Sequence, residues 1–431
     1  MAPYGLRQKA LSARRLSRIF KQPLMAPRKH EPTGRLTLLL FLHRGVVALL
    51  MLAAFELLTG CMDEVEQRPA IAYTGDPIVD GNAERAAAPP KDRALWDDRI
   101  AATALRLGNF DEAKSKLDDA ILQGGGIINN TSDAAKARSL FHPEDTKTFI
   151  GEPYERIMDY YYRAMIYWRD GEPDNARACY RTGQLLDSDA EAHQYQSDYV
   201  LLDYLDGFAS EKLGGDGSDA LARAQALTKR HLPPYNKNAN VLVFAEYGHG
   251  PVKYTGGQYG EQLRFYTEES RIRSARLTVD GHKVWLPPYD NLNYQATTRG
   301  GRVMDHILGN KAVFKGTTDT VGNVAFLGAV VAADQHSRQG NEAAVGLAAI
   351  GLISKLASAA TTPRADIRAW DNLPQFLSFA ALKLAPGDHP GQIEYLTRDG
   401  EPDPDLTREV TITVSADPSA NTIVFLSELP H

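Results

Sequence analysis

Cysteine is scarce in this sequence, because the 431 residues contain only Cys61 and Cys179. Their number alone excludes a disulfide-stapled framework and a four-cysteine zinc ribbon. The chain is long enough to bury substantial hydrophobic cores, so it needs no disulfides to fold. Its length and its 24% of charged residues indicate a globular protein of about two to three domains.

The sequence also lacks the linear motifs of several common enzyme classes. It contains no His-Glu-x-x-His, no Gly-x-Ser-x-Gly and no Gly-x-x-x-x-Gly-Lys-Ser/Thr. The motif content therefore predicts no catalytic residue, no metal site and no cofactor.

A net positive charge is found only at the N-terminal end of the chain. Residues 1–60 carry ten Lys/Arg and two Asp/Glu, a net charge of +8. Because the whole chain carries −6, residues 61–431 carry −14. An acidic body disfavours nucleic acid as a partner, since phosphate binding needs the opposite sign.

No uninterrupted apolar run near the N-terminus is long enough to form a membrane-spanning helix. The run that ends "GVVALLMLAAFELLTGC" has about fifteen apolar residues and contains Glu56, whereas a spanning helix needs ~20. Extending it to Leu36 would bury Arg44 as well, at roughly 2.5–3.5 kcal/mol for each charge. A basic region followed by a short apolar core predicts a cleaved signal peptide over residues 1–60, with Met25 as an alternative start.

Leu58-Thr59-Gly60-Cys61 resembles the lipobox of bacterial lipoproteins. In that family the thiol is alkylated with diacylglycerol and the chain is cut just before the cysteine. The resemblance implies a mature chain that begins at Cys61 with more than one acyl chain, such as palmitate, which suffices for stable anchoring. The alternative is a buried cysteine at the end of an uncleaved anchor helix. Met62, where retained lipoproteins have Asp, implies an outer-membrane protein that faces the periplasm.

Residues 61–92 are rich in Pro, Gly, Ala and acidic side chains and show no sustained period. Such a composition is typical of a flexible tether. The acylated Cys61 and this tether would therefore hold a folded body away from the membrane.

Apolar residues recur at helical spacing from Leu95 onward. "DRIAATALRLGNFDEAKSKLDDAILQ" and "YYYRAMIYWRDGEPDNARACYRTGQLLD" resemble tetratricopeptide repeats, which pair two helices within about 34 residues. A glycine-rich insert separates the two copies, and a weaker third copy begins near Tyr199. The matching positions are small residues that permit close helix packing, together with the turn glycines: Ala101, Gly108, Ala113, Ala120, Ala164, Gly171 and Ala176.

From Asn240 the apolar period changes to two, which predicts strands. "ARLTVDGHKVWLP" predicts a hairpin that turns at Asp280-Gly281. Four strands near the C-terminus are predicted in meander order, as a small β-sandwich or half of one. Residues 322–360 contain two Gly/Ala-rich apolar runs that are too short to span a bilayer. They predict an inserted helical hairpin that packs on the protein or docks onto lipid or a partner's membrane segment.

The best candidate for acid–base chemistry is "EYGHGPVKYTGG", which offers Glu246, His249 and Lys253 beside flexible glycines. Arg299 and Arg302 surround a second tight turn and are candidates for binding a carboxylate or phosphate. All five residues are also explained by turn formation and surface salt bridges.

The whole layout resembles an uncharacterised family of bacterial periplasmic lipoproteins, through the repeats, "EYGHGPVK", "RGGR" and "ADIRAW" over residues 90–431. The resemblance implies tetratricopeptide-like helices followed by a β domain, and it brings no activity with it.

These patterns predict an α+β protein with a helical domain over residues 93–232 and a β-rich, sandwich-like domain over residues 238–431. The expected function is that of a lipid-anchored periplasmic scaffold or regulator, whose helical repeats receive an envelope protein or peptide on a concave surface. The alternative is a glycan-binding protein or hydrolase that uses the loops of residues 246–302.

Overall fold

The computed structural model describes four parts of the chain. They are residues 70–124, 147–188, 193–298 and 364–429. The predictions for the signal peptide, the lipobox with Cys61, Arg299, Arg302 and the insert 322–360 concern residues outside these ranges. None of the helices within the described ranges is long and apolar enough to cross a membrane.

The long helices, over residues 77–227, precede the mainly β part of the chain, so the predicted α+β class is confirmed. The long helices are α1 Pro77–Ala87, α2 Arg93–Arg106, α3 Phe110–Gln123, α4 Pro153–Arg169, α5 Pro173–Asp187, α6 Val200–Lys212 and α7 Ser218–Leu227. Short 3-10 turns lie at Pro90–Asp92 and His193–Tyr195, and a further helix, α8, spans Leu292–Thr297.

Three pairs of consecutive helices form as the repeat pattern predicts. Gly108 and Gly171 lie in the α2–α3 and α4–α5 turns with φ values of +73° and +77°, a conformation that suits glycine. Gly214, in the α6–α7 turn, has φ +79°. The weak third copy is therefore also a helix pair. The predicted small packing residues are all buried in the helical core: Ala101, Ala113, Ala120, Ala164 and Ala176.

Part of the predicted flexible tether is helical, which makes that prediction wrong for residues 77–92. Asp76 caps α1 by accepting hydrogen bonds from the amides of Ile78 and Val79, and Pro77 occupies the first turn. Both features favour a helix start. The helix shows little apolar periodicity and is instead held by its contacts with α2.

In the described part of the β region there are two four-stranded sheets and one separate hairpin. The strands are β1 Val241–His249, β2 Val252–Gly256, β3 Gln262–Tyr266, β4 Ile272–Val279, β5 His282–Leu286, β6 Asp290–Asn291, β7 Pro374–Leu382, β8 Gly387–Thr397, β9 Arg408–Val414 and β10 Thr422–Ser427. The sheet orders are β10-β1-β7-β6 and β5-β4-β8-β9, and β2 pairs with β3.

The predicted meander of the last four strands is wrong. β8 and β9 form a hairpin in the second sheet, whereas β7 and β10 flank β1 in the first. The β1–β10 pair is parallel, with Val241 opposite Thr422. A meander pairs consecutive strands, so the placement of β7 and β8, and of β9 and β10, in different sheets rules it out.

The fold has three layers, with the first sheet in the middle. Val243 and Tyr247 of β1 belong to the core that the two sheets share. Leu242 and Phe244, on the other face of the same strand, belong to the core shared with the helices. Because both faces of β1 are covered, all eight residues Val241–Gly248 are buried, as expected for a central strand.

Candidate functional site

Glu246, a predicted acid–base residue, lies in β1 and points toward the helices. Its carboxylate accepts hydrogen bonds from Arg106 Nε at 2.8 Å, from the Tyr162 hydroxyl at 2.5 Å and from Ser427 Oγ at 2.6 Å. The Glu246 and Arg106 side chains are 1% and 2% exposed. This buried carboxylate therefore links the helices to the first sheet through its hydrogen bonds.

Lys253, the predicted amine, is buried in a different ion pair. Its Nζ donates to Glu155 Oε2 at 2.5 Å and to the carbonyl oxygen of Arg368 at 2.8 Å. Glu155 Oε1 also accepts the amide of Trp370 at 2.8 Å. The lysine thus ties the β2–β3 hairpin and the segment before β7 to the first turn of α4.

The predicted residues do not converge on one acid–base site. Glu155 and Tyr162, the partners of Lys253 and Glu246, are seven positions apart on α4, about 10.5 Å along the helix axis. His249 is exposed at the end of β1, where its backbone amide donates to Ser270 Oγ at 3.1 Å.

The inner face of the helical pairs is covered by the chain's own β region. Tyr161 and Tyr162 of α4 contact Phe244 and Trp370 with ring centroids 6.0 and 5.9 Å apart, and Phe208 of α6 contacts the first sheet in the same way. The surface on which tetratricopeptide helices were expected to receive a peptide is therefore filled along α4 and α6.

A groove between α1 and α2 remains open to solvent. It has a volume of ≈300 Å³, at the lower limit of the ~300–1,000 Å³ typical of ligand sites. Each helix contributes residues spaced i, i+3, i+4 and i+7, which lie on one helical face. The walls are Pro77, Asp80, Gly81 and Glu84 on α1, and Trp96, Arg99, Ile100 and Thr103 on α2.

The absence of a side chain at Gly81 allows the two helices to approach closely beneath the groove. A Cβ atom at this position would lie 2.9 Å from Ile100 Cγ1. Near the other end of the interface, Arg85 forms an ion pair with the buried Asp97. These two contacts hold α1 against α2 in an antiparallel arrangement.

The chain segment that precedes α1 folds back along it and forms one rim of the groove. Asp80 Oδ1 accepts the amide of Thr74 at 2.7 Å and its hydroxyl at 2.8 Å, and Oδ2 accepts the amide of Gly75 at 2.9 Å. Gly75 makes this reversal possible with φ +86°. The Tyr73 hydroxyl donates to Glu84 Oε1, and the Tyr73 side chain is 67% exposed.

The groove is negatively charged and partly aromatic. The amide of Thr74, its hydroxyl and the amide of Gly75 lower the pKa of Asp80, which keeps this carboxylate ionised. Arg99 is the cation of the opposite wall, but Asp371 neutralises it at 2.8 Å. The Arg99 guanidinium lies 5.0 Å from the centre of the Trp96 ring, so cation–π contact already occurs at this indole.

A second polar site, which the sequence did not reveal, lies between α2 and α4. Burial raises the pKa of Asp159 to about 7, and burial together with the neighbouring Asp159 raises the pKa of Asp98 well above its ordinary range. The two carboxyl groups lie close enough for Asp159 to raise the pKa of Asp98, so the pair favours a state in which at least one of them is protonated. The adjoining cavity, with Arg156 in its wall, has a volume of ≈20 Å³, enough for about one water molecule.

The chain matches no protein-family model, no curated protein and no solved structure. Among the described residues, no group of three or more His, Cys, Asp or Glu side chains is arranged to hold a metal ion.

Proposed function

We propose that this protein is a lipid-anchored binding protein of the bacterial cell envelope, whose partner occupies the α1–α2 groove. The open groove is the observation that carries the proposal, because it combines apolar, aromatic and charged walls on rigid helices. Rigid, partly apolar concavities with a few polar groups are the usual form of binding sites.

The position of the groove in the chain determines where an acylated Cys61 would hold it. Tyr73, the first residue that lines the groove, lies twelve positions after Cys61. Twelve residues reach at most about 40 Å when fully extended. An acyl group on Cys61 would therefore keep Tyr73 and the groove close to the membrane surface, within range of a partner at the same membrane.

The rival interpretation as a hydrolase has less support. Glu246 and Lys253 each use their charge in a buried ion pair, so neither is available to a substrate. The Asp98–Asp159 pair has the chemistry of a general acid and base, but its cavity of ≈20 Å³ has no room for a sugar or a peptide.

Anchoring is tested by mass spectrometry of the mature N-terminus after purification from membranes. We expect the first residue to be Cys61 with its thiol alkylated and acyl chains attached. A mature chain that begins upstream of Cys61, or that carries a free thiol there, would contradict the anchoring.

Binding is tested by photocrosslinking in intact cells. p-Benzoylphenylalanine replaces Tyr73 in the groove or, as a matched aromatic control, Trp285 on β5, which is 51% exposed. We expect a discrete adduct from position 73 that position 285 does not give. Identical adducts from both positions, or none from either, would rule out a partner in the groove.

A further inference from the structure

We propose that the α1–α2 groove binds an extended peptide segment in which a lysine or arginine side chain stands next to an apolar residue. This inference rests on the proposed binding function and specifies the chemistry of the partner.

The charge of the groove selects a cation. Asp80 and Glu84 lie one helical turn apart on α1 and face the same space. The positive charge opposite them, on Arg99, is already matched by Asp371. The groove therefore holds two carboxylates whose negative charge no free cation of the groove balances. An anionic partner would be repelled there.

Room for a further hydrogen bond remains on the carboxylates. Asp80 accepts three hydrogen bonds, whereas an ionised carboxylate has about four acceptor positions. Glu84 Oε1 accepts the Tyr73 hydroxyl, and Glu84 Oε2 has no hydrogen-bond donor among the residues that the structure describes. An ammonium or guanidinium group that reaches this rim would donate to the remaining acceptor positions of Asp80 and Glu84.

The remaining walls suit the apolar part of a long cationic side chain. Trp96 and Pro77 line the groove with indole and hydrocarbon surface, and the buried Ile100 closes its floor beside Gly81. Lysine and arginine pack their methylene stems on such surfaces while the charged head stays at the rim. The volume of ≈300 Å³ limits the occupant to a short segment, so the basic residue and one apolar neighbour define the contact.

The geometry favours a peptide over a free amine. The groove is open at its surface and lies along two helices, and α1 and α2 are tied together by Arg85 and Asp97. An open groove of this kind leaves room for a peptide backbone to continue past the bound side chain, whereas a closed pocket would suit a free amine.

The test uses the full chain in detergent and the fluorescein-labelled peptide Gly-Leu-Lys-Leu-Gly. Fluorescence anisotropy compares it with the same peptide in which norleucine replaces lysine. We expect the norleucine peptide to bind about fivefold more weakly or worse, since one charge contact of roughly 1 kcal/mol corresponds to that factor. Binding of the lysine peptide should also weaken when NaCl is raised from 50 to 300 mM.

Glu84→Gln should weaken binding of the lysine peptide about fivefold and leave the norleucine peptide unaffected. Asp111→Asn is the matched control, because Asp111 is a carboxylate on α3 outside the groove and 85% exposed. Circular dichroism at matched concentrations checks that each variant is folded.

Three results would overturn the inference. The first is equal affinity for the lysine and norleucine peptides. The second is no effect of Glu84→Gln on a measurable lysine-peptide affinity. The third is a position-73 photoadduct of twice the chain mass, which would identify a second copy of this chain as the occupant. In all three cases a photoadduct specific to position 73 would still support a partner in the groove. The peptide specificity can therefore be disproved without disproving the binding function.

Discussion

Arg106 and Glu246 form an ion pair at 2.8 Å that is almost fully excluded from solvent and joins the end of α2 to the middle of the central strand. The carbonyl oxygen of Asn372 accepts a second hydrogen bond from Arg106, at 2.6 Å. Helices, sheet and the segment before β7 therefore meet at one guanidinium. The helical and β regions are joined here by a charged contact as well as by aromatic packing.

Replacing Arg106 by Met should destabilise the protein strongly. The substitution leaves the Glu246 carboxylate buried without its cation, and breaking a buried pair on one side costs about 3–5 kcal/mol. Urea unfolding followed by circular dichroism measures the free energy of unfolding. The control is Lys114→Met, because Lys114 pairs with Asp170 at the surface and such pairs contribute about 0–1 kcal/mol. Similar losses in the two variants would show that the Arg106 pair contributes no more than a surface contact.

The Asp98–Asp159 pair should make stability fall as pH rises. The folded-state pKa of Asp159 is raised to about 7 from an ordinary 3.8, so folding favours its protonated form. This contribution is fully present below about pH 3.8 and is lost as the pH rises through about 7. For one such group the loss between pH 5.5 and 8 is on the order of 2 kcal/mol.

Asp159→Asn removes that titration while keeping a side chain that can donate to Asp98. The decrease in unfolding free energy from pH 5.5 to pH 8 should therefore be smaller in this variant, by about 2 kcal/mol. Asp290, whose pKa burial also raises to about 7, titrates in both proteins and cancels in the comparison. Asp111→Asn serves as the exposed control. If wild type and Asp159→Asn show the same pH dependence, the carboxyl pair does not carry the effect.

The sequence predicted those features that depend on neighbouring residues. Gly108 and Gly171 mark helix turns because the required positive φ favours glycine, and this preference is visible in the sequence itself. Asp280 and Gly281 both have positive φ in the β4–β5 turn, as the predicted tight hairpin requires.

Features that depend on distant residues could not be predicted in this way. The parallel β1–β10 pair joins residues about 180 positions apart, such as Glu246 and Ser427, and an apolar alternation does not specify which strand lies beside it. The sequence predicted a free amine at Lys253, because its ion-pair partner, Glu155, lies on a helix 98 residues earlier and is not apparent from the residues around Lys253.

The groove was missed because one of its walls lies in the predicted tether. Gly81, Asn82 and Arg85 interrupt the apolar pattern of α1, so periodicity gave no signal. The local signal was the pair Asp76-Pro77, an N-cap residue followed by proline in the first turn. Capping residues would have identified this helix where hydrophobic spacing did not.

Asp76→Ala should loosen α1 and with it the groove. The Asp76 carboxylate accepts the amides of Ile78 at 2.9 Å and Val79 at 3.1 Å, and the loss of such a cap costs about 1 kcal/mol. Hydrogen exchange read by mass spectrometry should show faster exchange in a peptide covering α1. The control is Asn291→Ala, which removes the cap of α8 and should affect that helix only. Unchanged exchange in α1 would mean that packing against α2 alone holds the helix.

Cys179 should be nearly inert to thiol reagents in the folded protein, which makes it an internal standard for the state of Cys61. Its side chain is buried, and burial raises its pKa to about 12, so almost no thiolate exists at pH 8. Ellman's reagent should therefore react slowly with the native protein. After denaturation one thiol per chain should react if Cys61 is alkylated, and two if it is free.

The variant Cys179→Ser shows which cysteine gives the reactive thiol of the denatured protein. If the lipid is attached to Cys61, this denatured variant should show no reactive thiol. A residual thiol in the denatured variant would mean that Cys61 is unmodified, and the membrane anchor would have to be abandoned. Rapid reaction of the native wild-type protein that disappears in Cys179→Ser would instead show that Cys179 is accessible. Because the buried thiol reacts only on unfolding, its rate in increasing urea also reports when the α4–α5 pair opens.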